Sequence, residues 1–343
     1  MDYINQQIAL GIDIGGTKIE VALIEISKSK NLEHKISLDK HNFSSFQFIS
    51  RKRTPTLREQ GYKDVINRLS QLIKESLKES NLSKEDIHTI GIGMPGSVNP
   101  LTKKMIHGNS EIFEDKDILT DLQKLLTLSE SFKKKMFIEN DANCFALAEA
   151  IGGAGKLFHE QTNIPFSEQI SIGIILGTGV GGGTIIKGSL LSGKMGGGSE
   201  VGHTNLYPNG RQCYCDRKGC VELYLSGTGI EKSYNLINPS MSEDPVKSLE
   251  IFKMYNDKSD SNAKDVIEEY KNDLSRFLTN LSNLLDPHYF VLGGGVSNQD
   301  AIYKNLNEEI KRLTFLKEFS PIVYKNQLGD SAGVIGAALL PYL

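Results

Sequence analysis

Two strand-like segments of this sequence are each interrupted by a glycine turn, and this repeated pattern constrains the fold more than any other feature. Residues 8–26 form two β-rich runs around Gly15-Gly16, and residues 170–190 repeat the arrangement around the glycines at 177–183. Only glycine lets the main chain approach a ligand very closely, and successive backbone N–H groups at such turns bind anions. The sequence therefore predicts two β-hairpins whose turns grip phosphate groups.

The elements between these hairpins alternate in the manner of an α/β protein. Residues 61–80 carry apolar side chains at helical spacing, and residues 87–94 form an apolar run of strand length. We expect further helices over 121–128, 144–151, 264–285 and 333–340, further strands over 136–138 and 289–292, and an extended loop or additional strand pairing over 27–50. Strands that alternate with helices predict a layered α/β fold.

The length of 343 residues suits two lobes better than one compact core. We expect an N-terminal α/β lobe over residues 1–120, to which a C-terminal helix at 330–343 returns. A larger C-terminal α/β lobe is expected over residues 121–329.

The charge balance disfavours several classes of partner. Lys and Arg number 39 against 42 Asp and Glu, a formal net charge of −3, which favours neither nucleic acid nor an anionic membrane. The first residues lack the basic and apolar regions of a signal peptide, and the apolar runs are too short to span a bilayer. We therefore expect a cytoplasmic protein with no nucleic-acid or membrane partner.

Two nucleotide-binding motifs are matched by spacing but not by context. Residues 177–182 fit G-x-G-x-x-G, yet the β-branched run 184–186 follows where a dinucleotide fold needs a helix. Residues 188–194 resemble a P-loop, but Met195 replaces the hydroxyl residue that binds Mg²⁺. We reject the first interpretation and attribute the second match to chance.

A cluster of sulfur and nitrogen ligands predicts a metal site. Three of the four cysteines lie within residues 213–220, and His203 precedes them closely. Tetrahedral Zn²⁺ prefers such ligands, and four protein ligands leave no open position. His203, Cys213, Cys215 and Cys220 are therefore expected to hold a structural zinc ion.

Two carboxylates are candidates for chemistry, each with a simpler alternative. Asp141 follows a short strand, where α/β folds place ligand-contacting groups, but it could also cap the helix that follows. Asp13 precedes the first glycine turn, where it could bind phosphate-associated groups or be an exposed hairpin residue. The second glycine turn and the glycines at 293–295 favour the phosphate interpretation of Asp13.

Taken together, these motifs resemble the ROK family of sugar kinases and repressors, within the actin/hexokinase-like superfamily. The resemblance covers nearly the whole chain. Its motifs are Asp13-x-Gly15-Gly16-Thr17-Lys18, Gly93-Met94-Pro95-Gly96, Glu139-Asn140-Asp141-Ala142-Asn143, Leu176 to Gly183, Glu200-x-x-His203, Cys213-x-Cys215-x4-Cys220-x-Glu222, Leu292-Gly293-Gly294-Gly295 and Gly333-x-x-Gly336-Ala337-Ala338. It implies a two-lobed α/β fold of the actin/hexokinase-like (ribonuclease H-like) ATPase class, with ATP in the interlobe cleft.

The resemblance also implies roles for individual residues. Asp141 would be the general base of a kinase that uses ATP and Mg²⁺. The sugar would contact Gly96, Asn109, Asn140, Glu200, His203 and Glu222. ATP would contact Asp13, Gly15, Gly16, Thr17, Lys18, Gly177, Thr178, Gly179, Gly181, Gly294 and Gly295. The family usually has glycine where this chain has Asp216, a departure within the expected zinc loop that Asp tolerates better than most residues.

The resemblance implies an ATP-dependent phosphorylation of a hexose, with several alternatives for substrate and role. Residues 95–100, 108–110 and 329–333 favour fructose, mannose or glucose, with the 6-hydroxyl as acceptor; an N-acetylglucosamine or N-acetylmannosamine kinase is the alternative. A sugar-responsive repressor is disfavoured because only twelve residues precede Asp13. A catalytically silent sugar-binding protein is disfavoured by Asp141 and the two glycine turns. A homodimer would be usual for the family.

Overall fold

The structure is a computed structural model that describes residues 5–28, 43–108, 111–238, 245–318 and 321–343. The chain divides into two compact units. Unit 1 comprises residues 1–169, 183–199 and 327–343, and unit 2 comprises residues 170–182 and 200–326.

The strands and helices of the described residues are as follows. The strands are β1 (Asn5–Ile14), β2 (Lys18–Lys28), β3 (Phe43–Pro55), β4 (Ile87–Met94), β5 (Ser97–Val98), β6 (Met105–His107), β7 (Met136–Asn140), β8 (Ile170–Leu176), β9 (Val180–Ile186), β10 (Ser189–Leu190), β11 (Tyr289–Gly293) and β12 (Ile322–Lys325). The helices are α1 (Tyr62–Glu79), α2 (Ile118–Leu125), α3 (Asp141–Gly152), α4 (Ala154–Thr162), α5 (Glu222–Leu225), α6 (Gly227–Ile237), α7 (Ser248–Asp257), α8 (Ser261–Leu285), α9 (Leu306–Leu313) and α10 (Ala332–Leu339).

Unit 1 is built on a five-stranded sheet with the order β3-β2-β1-β4-β7. The pairs β1/β2 and β2/β3 are antiparallel, whereas β1/β4 and β4/β7 are parallel. The predicted first hairpin is therefore confirmed, and the additional strand pairing expected within 27–50 forms as part of β3. The rest of that expectation, over residues 29–42, lies outside the described residues.

Close packing of small residues joins α10 to the centre of this sheet. A Cβ atom at Gly91 would lie 1.7 Å from the carbonyl oxygen of Ala337, and one at Gly11 would lie 2.2 Å from that of Val334. Glycine on β1 and β4 thus lets the helix backbone approach the strands more closely than any side chain would permit. This contact brings the C-terminal helix onto the N-terminal sheet.

Two helices begin earlier than the sequence predicts, because a capping residue precedes each of them. The helix expected over 121–128 is α2, which begins earlier because the Asp117 side chain accepts a hydrogen bond from Thr120 N at 3.0 Å. α8 begins before residue 264 because Asp260 caps it by accepting from Ala263 N. The predicted helices 61–80 and 333–340 match α1 and α10 within one residue.

The division between the units differs from the predicted boundary at residues 120/121. Residues 121–169 group with unit 1 because β7 pairs in parallel with β4, with Ile138 opposite Ile92. α3 also packs against α10 within this unit. These contacts join residues that are far apart in sequence, so no local sequence pattern predicts them.

Unit 2 contains the parallel strands β8, β11 and β12, with Leu292 opposite Ile174. The long helix α8 contributes Phe277 and Leu278 to the buried core of this unit. β9 begins in unit 2, and its remaining residues are grouped with unit 1, where Ile185 pairs with Leu190 of β10. Across the described ranges, every helix is too short or too polar to cross a bilayer.

Candidate active site and metal centre

The polar residues at the end of β7 are fixed by the start of α3. Asn140 caps this helix, since its Oδ1 accepts hydrogen bonds from Ala142 N at 2.9 Å and Asn143 N at 3.2 Å. Asn140 also donates through Nδ2 to the carbonyl oxygen of Gly96 at 3.1 Å. The structure therefore brings Asn140 and Gly96 together, whereas the predicted sugar residue Asn109 lies outside the described residues.

Asp141 occupies the first position of α3 rather than its cap. Its Oδ1 accepts a hydrogen bond from Ala142 N at 2.8 Å, and the helix N-terminus favours a negative charge at this position. Capping by Asn140 leaves the carboxylate of Asp141 unneeded for that purpose. The alternative explanation of Asp141 as a helix cap is therefore wrong.

Glu139 is a residue of this candidate site to which the sequence analysis gave no role. One of its carboxylate oxygens accepts from Asn140 N at 2.9 Å and Asn143 Nδ2 at 3.1 Å, and the other accepts from Ser192 Oγ at 2.7 Å. Glu139 thus fixes the backbone on which the candidate base is mounted. Its position within the Glu139–Asn143 motif was the available signal, but a single sequence gives no partner for it.

The turn between β1 and β2 is braced by Thr56, which follows β3 directly. Gly15 N donates to Lys18 O at 2.8 Å across the turn. Thr56 donates through Oγ1 to Gly15 O at 2.7 Å and through its backbone N–H to Thr17 O at 2.9 Å. This bracing holds the predicted phosphate turn in one conformation.

Asp13, at the end of β1, carries a strongly perturbed carboxyl group. Burial, followed by the negative charges of Asp141 and Glu20, raises the pKa of Asp13 to about 7, against the opposing effect of Lys18 and Arg53. The charges of Asp13 and Asp141 therefore act on one another within unit 1. A buried carboxylate that is costly to ionise is well suited to receive a cation.

The second glycine turn lies in unit 2 and is held by residues that follow it in sequence. Gly177 N donates to Gly179 O at 2.9 Å, and Gly227 N donates to Gly177 O at 2.7 Å. Val180 N donates to Glu222 Oε2 at 3.0 Å. Glu222, which the resemblance places on the sugar, is thus also a brace of the phosphate turn.

Gly294 and Gly295, which follow β11, differ in why a side chain is absent. Gly294 has φ +84°, and a Cβ there would lie 2.5 Å from Leu176 O. A Cβ at Gly295 would meet nothing within 4 Å. The backbone at Gly295 is therefore open to a ligand, whereas Gly294 is required by the fold of unit 2.

The predicted metal ligands form a cluster in unit 2. One ligand atom from each of His203, Cys213, Cys215 and Cys220 lies within 4.8 Å of the others. His203 Nδ1 is 3.7 Å from Cys213 Sγ, and the sulfur atoms of Cys215 and Cys220 are 3.6 Å apart. Tetrahedral zinc with Zn–S bonds of about 2.3 Å separates its sulfur ligands by about 3.8 Å, so these residues fit such an ion.

The turn of this cluster accommodates the departure at Asp216. Asp216 has φ +65°, the left-handed conformation in which glycine is least strained. Aspartate adopts this conformation more readily than most residues. Asp216 N donates to Cys213 O at 3.2 Å, so the turn between the ligands closes without a glycine.

Tyr214 is a second residue to which the sequence assigned no role. Its hydroxyl lies 2.9 Å from His203 Nε2, on the opposite side of the imidazole from Cys213. Burial, followed by the negative charge of Glu222, raises the pKa of the Tyr214 hydroxyl. Both nitrogens of His203 are therefore engaged within unit 2, one by the cysteine cluster and one by this hydroxyl.

Comparison with known proteins gives matches along nearly the entire chain. The model of the ROK family matches residues 9–342. The N-acetyl-D-glucosamine kinase of Histophilus somni is 31% identical over 341 residues, which covers 96% of this chain and 97% of that protein. The N-acetyl-D-glucosamine kinase of Mannheimia succiniciproducens is 32% identical, with 96% and 98% covered. Among solved structures, the ROK hexokinase from Thermus thermophilus is 27% identical with a TM-score of 0.75, and 97% of each chain is covered.

Proposed function

This chain belongs to the ROK family and has its two-lobed, actin/hexokinase-like α/β fold, and from this premise we propose that it is an ATP-dependent kinase of N-acetylglucosamine. The observation that carries the proposal is the placement of Asp141 at the start of α3, where its charge acts on Asp13 and its backbone is fixed by Asn140 and Glu139. In this arrangement Asp141 would accept the proton and Asp13 would bind the cation.

Phosphoryl transfer requires positioning and charge neutralisation more than covalent chemistry. The sugar hydroxyl attacks the γ-phosphorus of ATP, its proton passes to the carboxylate of Asp141, and ADP leaves. Asp13 would hold, through water, the Mg²⁺ that accompanies ATP, and that ion neutralises charge on the phosphates.

The remaining assignments follow the family pattern. In unit 1, Gly96 and Asn140 would contact the sugar, together with Asn109. In unit 2, Glu200, His203 and Glu222 would do so, with a sugar hydroxyl taking the place of the Tyr214 hydroxyl at His203 Nε2. The ATP phosphates would contact the turn at Asp13–Lys18 and the turn at Gly177–Gly181, while Gly294 and Gly295 would lie near the adenosine.

The substrate is the point at which the comparisons redirect the sequence interpretation. The sequence favours fructose, mannose or glucose, whereas the curated relatives described above are N-acetyl-D-glucosamine kinases at 31–32% identity over nearly the full chain. We therefore place N-acetylglucosamine first and the unmodified hexoses second. A site that hydrogen-bonds an acetamido group rejects a sugar lacking it, because the buried polar groups lose their partner.

A coupled kinase assay over five sugars tests this proposal. We expect kcat/KM for N-acetylglucosamine to exceed that for N-acetylmannosamine, glucose, mannose and fructose by at least about tenfold, since one lost polar contact has this effect or more. NMR of the product should place the phosphate on the 6-hydroxyl. A preference for fructose or mannose would restore the hexose interpretation, and no ATP consumption with any sugar would favour a non-catalytic sugar-binding protein.

The cysteine cluster would hold zinc in a structural role. All four ligand positions would come from His203, Cys213, Cys215 and Cys220, which leaves no position for a reacting group. The ion would fix the loop that carries His203 and precedes Glu222. Its contribution is therefore to shape the sugar side of unit 2.

Removal of one zinc ligand should unfold this loop. We expect Cys215→Ser to lose most of its bound zinc, measured by plasma mass spectrometry, and to lower Tm by on the order of 5–10 °C, because metal binding supplies folding free energy. Cys144→Ser is the matched control, since Cys144 is buried in α3 and is not one of the clustered ligands, and it should keep its zinc. Purified wild-type protein without stoichiometric zinc would contradict the assignment.

A further inference from the structure

A row of charged residues crosses the sheet of unit 1 beside the phosphate turn. In the strand register, Asp13 of β1 lies opposite Glu20 of β2, and Glu20 lies opposite Arg53 of β3. Directly opposed residues of neighbouring strands project from the same face of a sheet, with Cβ atoms about 5 Å apart. Arg53 therefore lies two strands away from Asp13, the carboxylate that would hold the cation in the proposed mechanism.

Glu20 is the fixed point of this row. It is wholly buried, and its carboxylate accepts from Arg53 Nε at 2.7 Å, Arg51 Nε at 2.6 Å and Ser331 Oγ at 3.2 Å. Burial of an ion pair is expensive and seldom improves stability over an apolar core. A buried carboxylate with two arginines thus points to a role in placing a guanidinium group rather than in folding alone.

Glu20 binds Arg53 through Nε of the guanidinium group. The two terminal nitrogens of that group make only weak contacts. Arg53 Nη1 is 3.7 Å from Asp330 Oδ2, and Nη2 is 3.4 Å from the backbone oxygen of Asp330. Both distances exceed the 2.7–2.9 Å typical of strong charge-assisted hydrogen bonds. The Asp330 side chain is 79% exposed, so it competes poorly with a doubly charged phosphate.

Other cations surround the same turn. Lys18, at the turn's end, lies 3.9 Å from Asp330, and the Arg58 guanidinium lies 3.7 Å from the Cβ position of Gly16. Asp13 senses the charges of both Arg53 and Asp141. Arg53 is thus one of three cations near the turn at which the proposed function places the nucleotide phosphates.

We propose that Arg53 binds the terminal phosphate of the nucleotide and that Glu20 is the positioning residue that holds it there. This inference rests on the proposed function, which places the nucleotide at the Asp13–Lys18 turn. During transfer, negative charge spreads over the equatorial oxygens of the moving phosphoryl group, and a preorganised donor stabilises it. The planar guanidinium suits this task because it can offer two parallel N–H groups to one phosphate.

Arg51 provides a matched control. It binds the same carboxylate of Glu20 through the same nitrogen at nearly the same distance, but it lies opposite Ala22, two residues further along β2 from the turn. Arg51→Gln and Arg53→Gln each remove one ion pair to Glu20. A purely structural role predicts the same loss of Tm and of activity in both variants.

We expect the two variants to differ in nucleotide binding and in rate. By calorimetry with Mg²⁺ present, Arg53→Gln should weaken binding of the non-hydrolysable ATP analogue AMP-PNP by at least about tenfold, and binding of ADP by less than threefold. It should lower kcat by about 10²-fold, the usual effect of losing one preorganised donor. Arg51→Gln should stay within about threefold of wild type in all three measurements, and Arg53→Lys should recover binding more than rate because it restores charge without the planar fork.

Equal effects of Arg51→Gln and Arg53→Gln would overturn this inference, as would equal weakening of AMP-PNP and ADP. Failure of the proposed function gives a different result. Wild-type protein that binds AMP-PNP in an Arg53-dependent way but phosphorylates no sugar would overturn the kinase proposal and support the phosphate contact. Wild-type protein that binds neither nucleotide would overturn both.

Discussion

Replacement of Asp141 by asparagine should lower kcat by about 10²–10⁴-fold, the range expected for loss of a positioned general base. The asparagine amide oxygen can still accept from Ala142 N, as Asp141 Oδ1 does at 2.8 Å, so the start of α3 should remain formed. Sugar affinity, measured by calorimetry without ATP, should change less than about threefold, because the variant removes proton acceptance rather than binding. Steady-state kinetics with N-acetylglucosamine measures the loss of rate.

The control for this variant is Asp117→Asn. Asp117 caps α2 in the same unit, accepts from Thr120 N and has no place in the proposed reaction. It should leave kcat within about twofold of wild type. Near-native activity of Asp141→Asn would show that another group takes the proton.

Replacement of Asp13 by asparagine should abolish activity and yet stabilise the folded protein at neutral and higher pH. Burial and the charges of Asp141 and Glu20 raise the pKa of Asp13 from 3.8 to about 7. Between these two pKa values the folded state keeps a proton that the unfolded state has released. Stability of the wild-type protein therefore falls as pH rises from about 4 to 7, and asparagine does not incur this loss.

The size and pH dependence of this gain can be stated. Each pKa unit corresponds to about 1.4 kcal/mol, so a shift of about three units gives as much as about 4 kcal/mol at pH 8, less the share that water screens. At pH 5.5 the gain should be about half as large. Urea unfolding of wild-type and Asp13→Asn protein at both pH values measures the difference.

Asp117→Asn again serves as the comparison, with the opposite sign. Burial raises the pKa of Asp117, but hydrogen bonds from Thr120 and the charge of Lys133 outweigh it and lower the pKa overall. Its ionised form therefore supports the fold, and asparagine should reduce stability at pH 8. If Asp13→Asn proved less stable than wild type at pH 8, ionised Asp13 would not destabilise the folded protein as described above.

Much of the fold is predictable from the sequence because its strongest signals are local. The alternation of β-rich residues around Gly15-Gly16 predicts the β1/β2 hairpin, and apolar spacing over 61–80 predicts α1. The four candidate metal ligands are recognisable because sulfur and imidazole at short spacing serve few other purposes in a chain with few cysteines. These features depend on residues that are neighbours in sequence.

The features that escaped prediction depend on contacts between distant residues. The placement of residues 121–169 in unit 1 follows from β7 pairing with β4, and no local pattern encodes a parallel pair. Arg53 shows the same limit at the candidate site. In the sequence it is one basic residue among several in β3, and only the strand register puts it in line with Glu20 and Asp13.

The dependence of the first sheet on α10 has a consequence for how the chain matures. β1 and β4 leave the ribosome well before the helix that covers their glycines at positions 11 and 91, since residue 332, where that helix begins, follows residue 94, where β4 ends, by 238 positions. At synthesis rates of about 5–20 residues per second, roughly 10–50 s separate the two events. Throughout that interval the apolar face of the nascent sheet lacks the helix that buries it. Such exposed apolar surface promotes aggregation, which chaperones counteract.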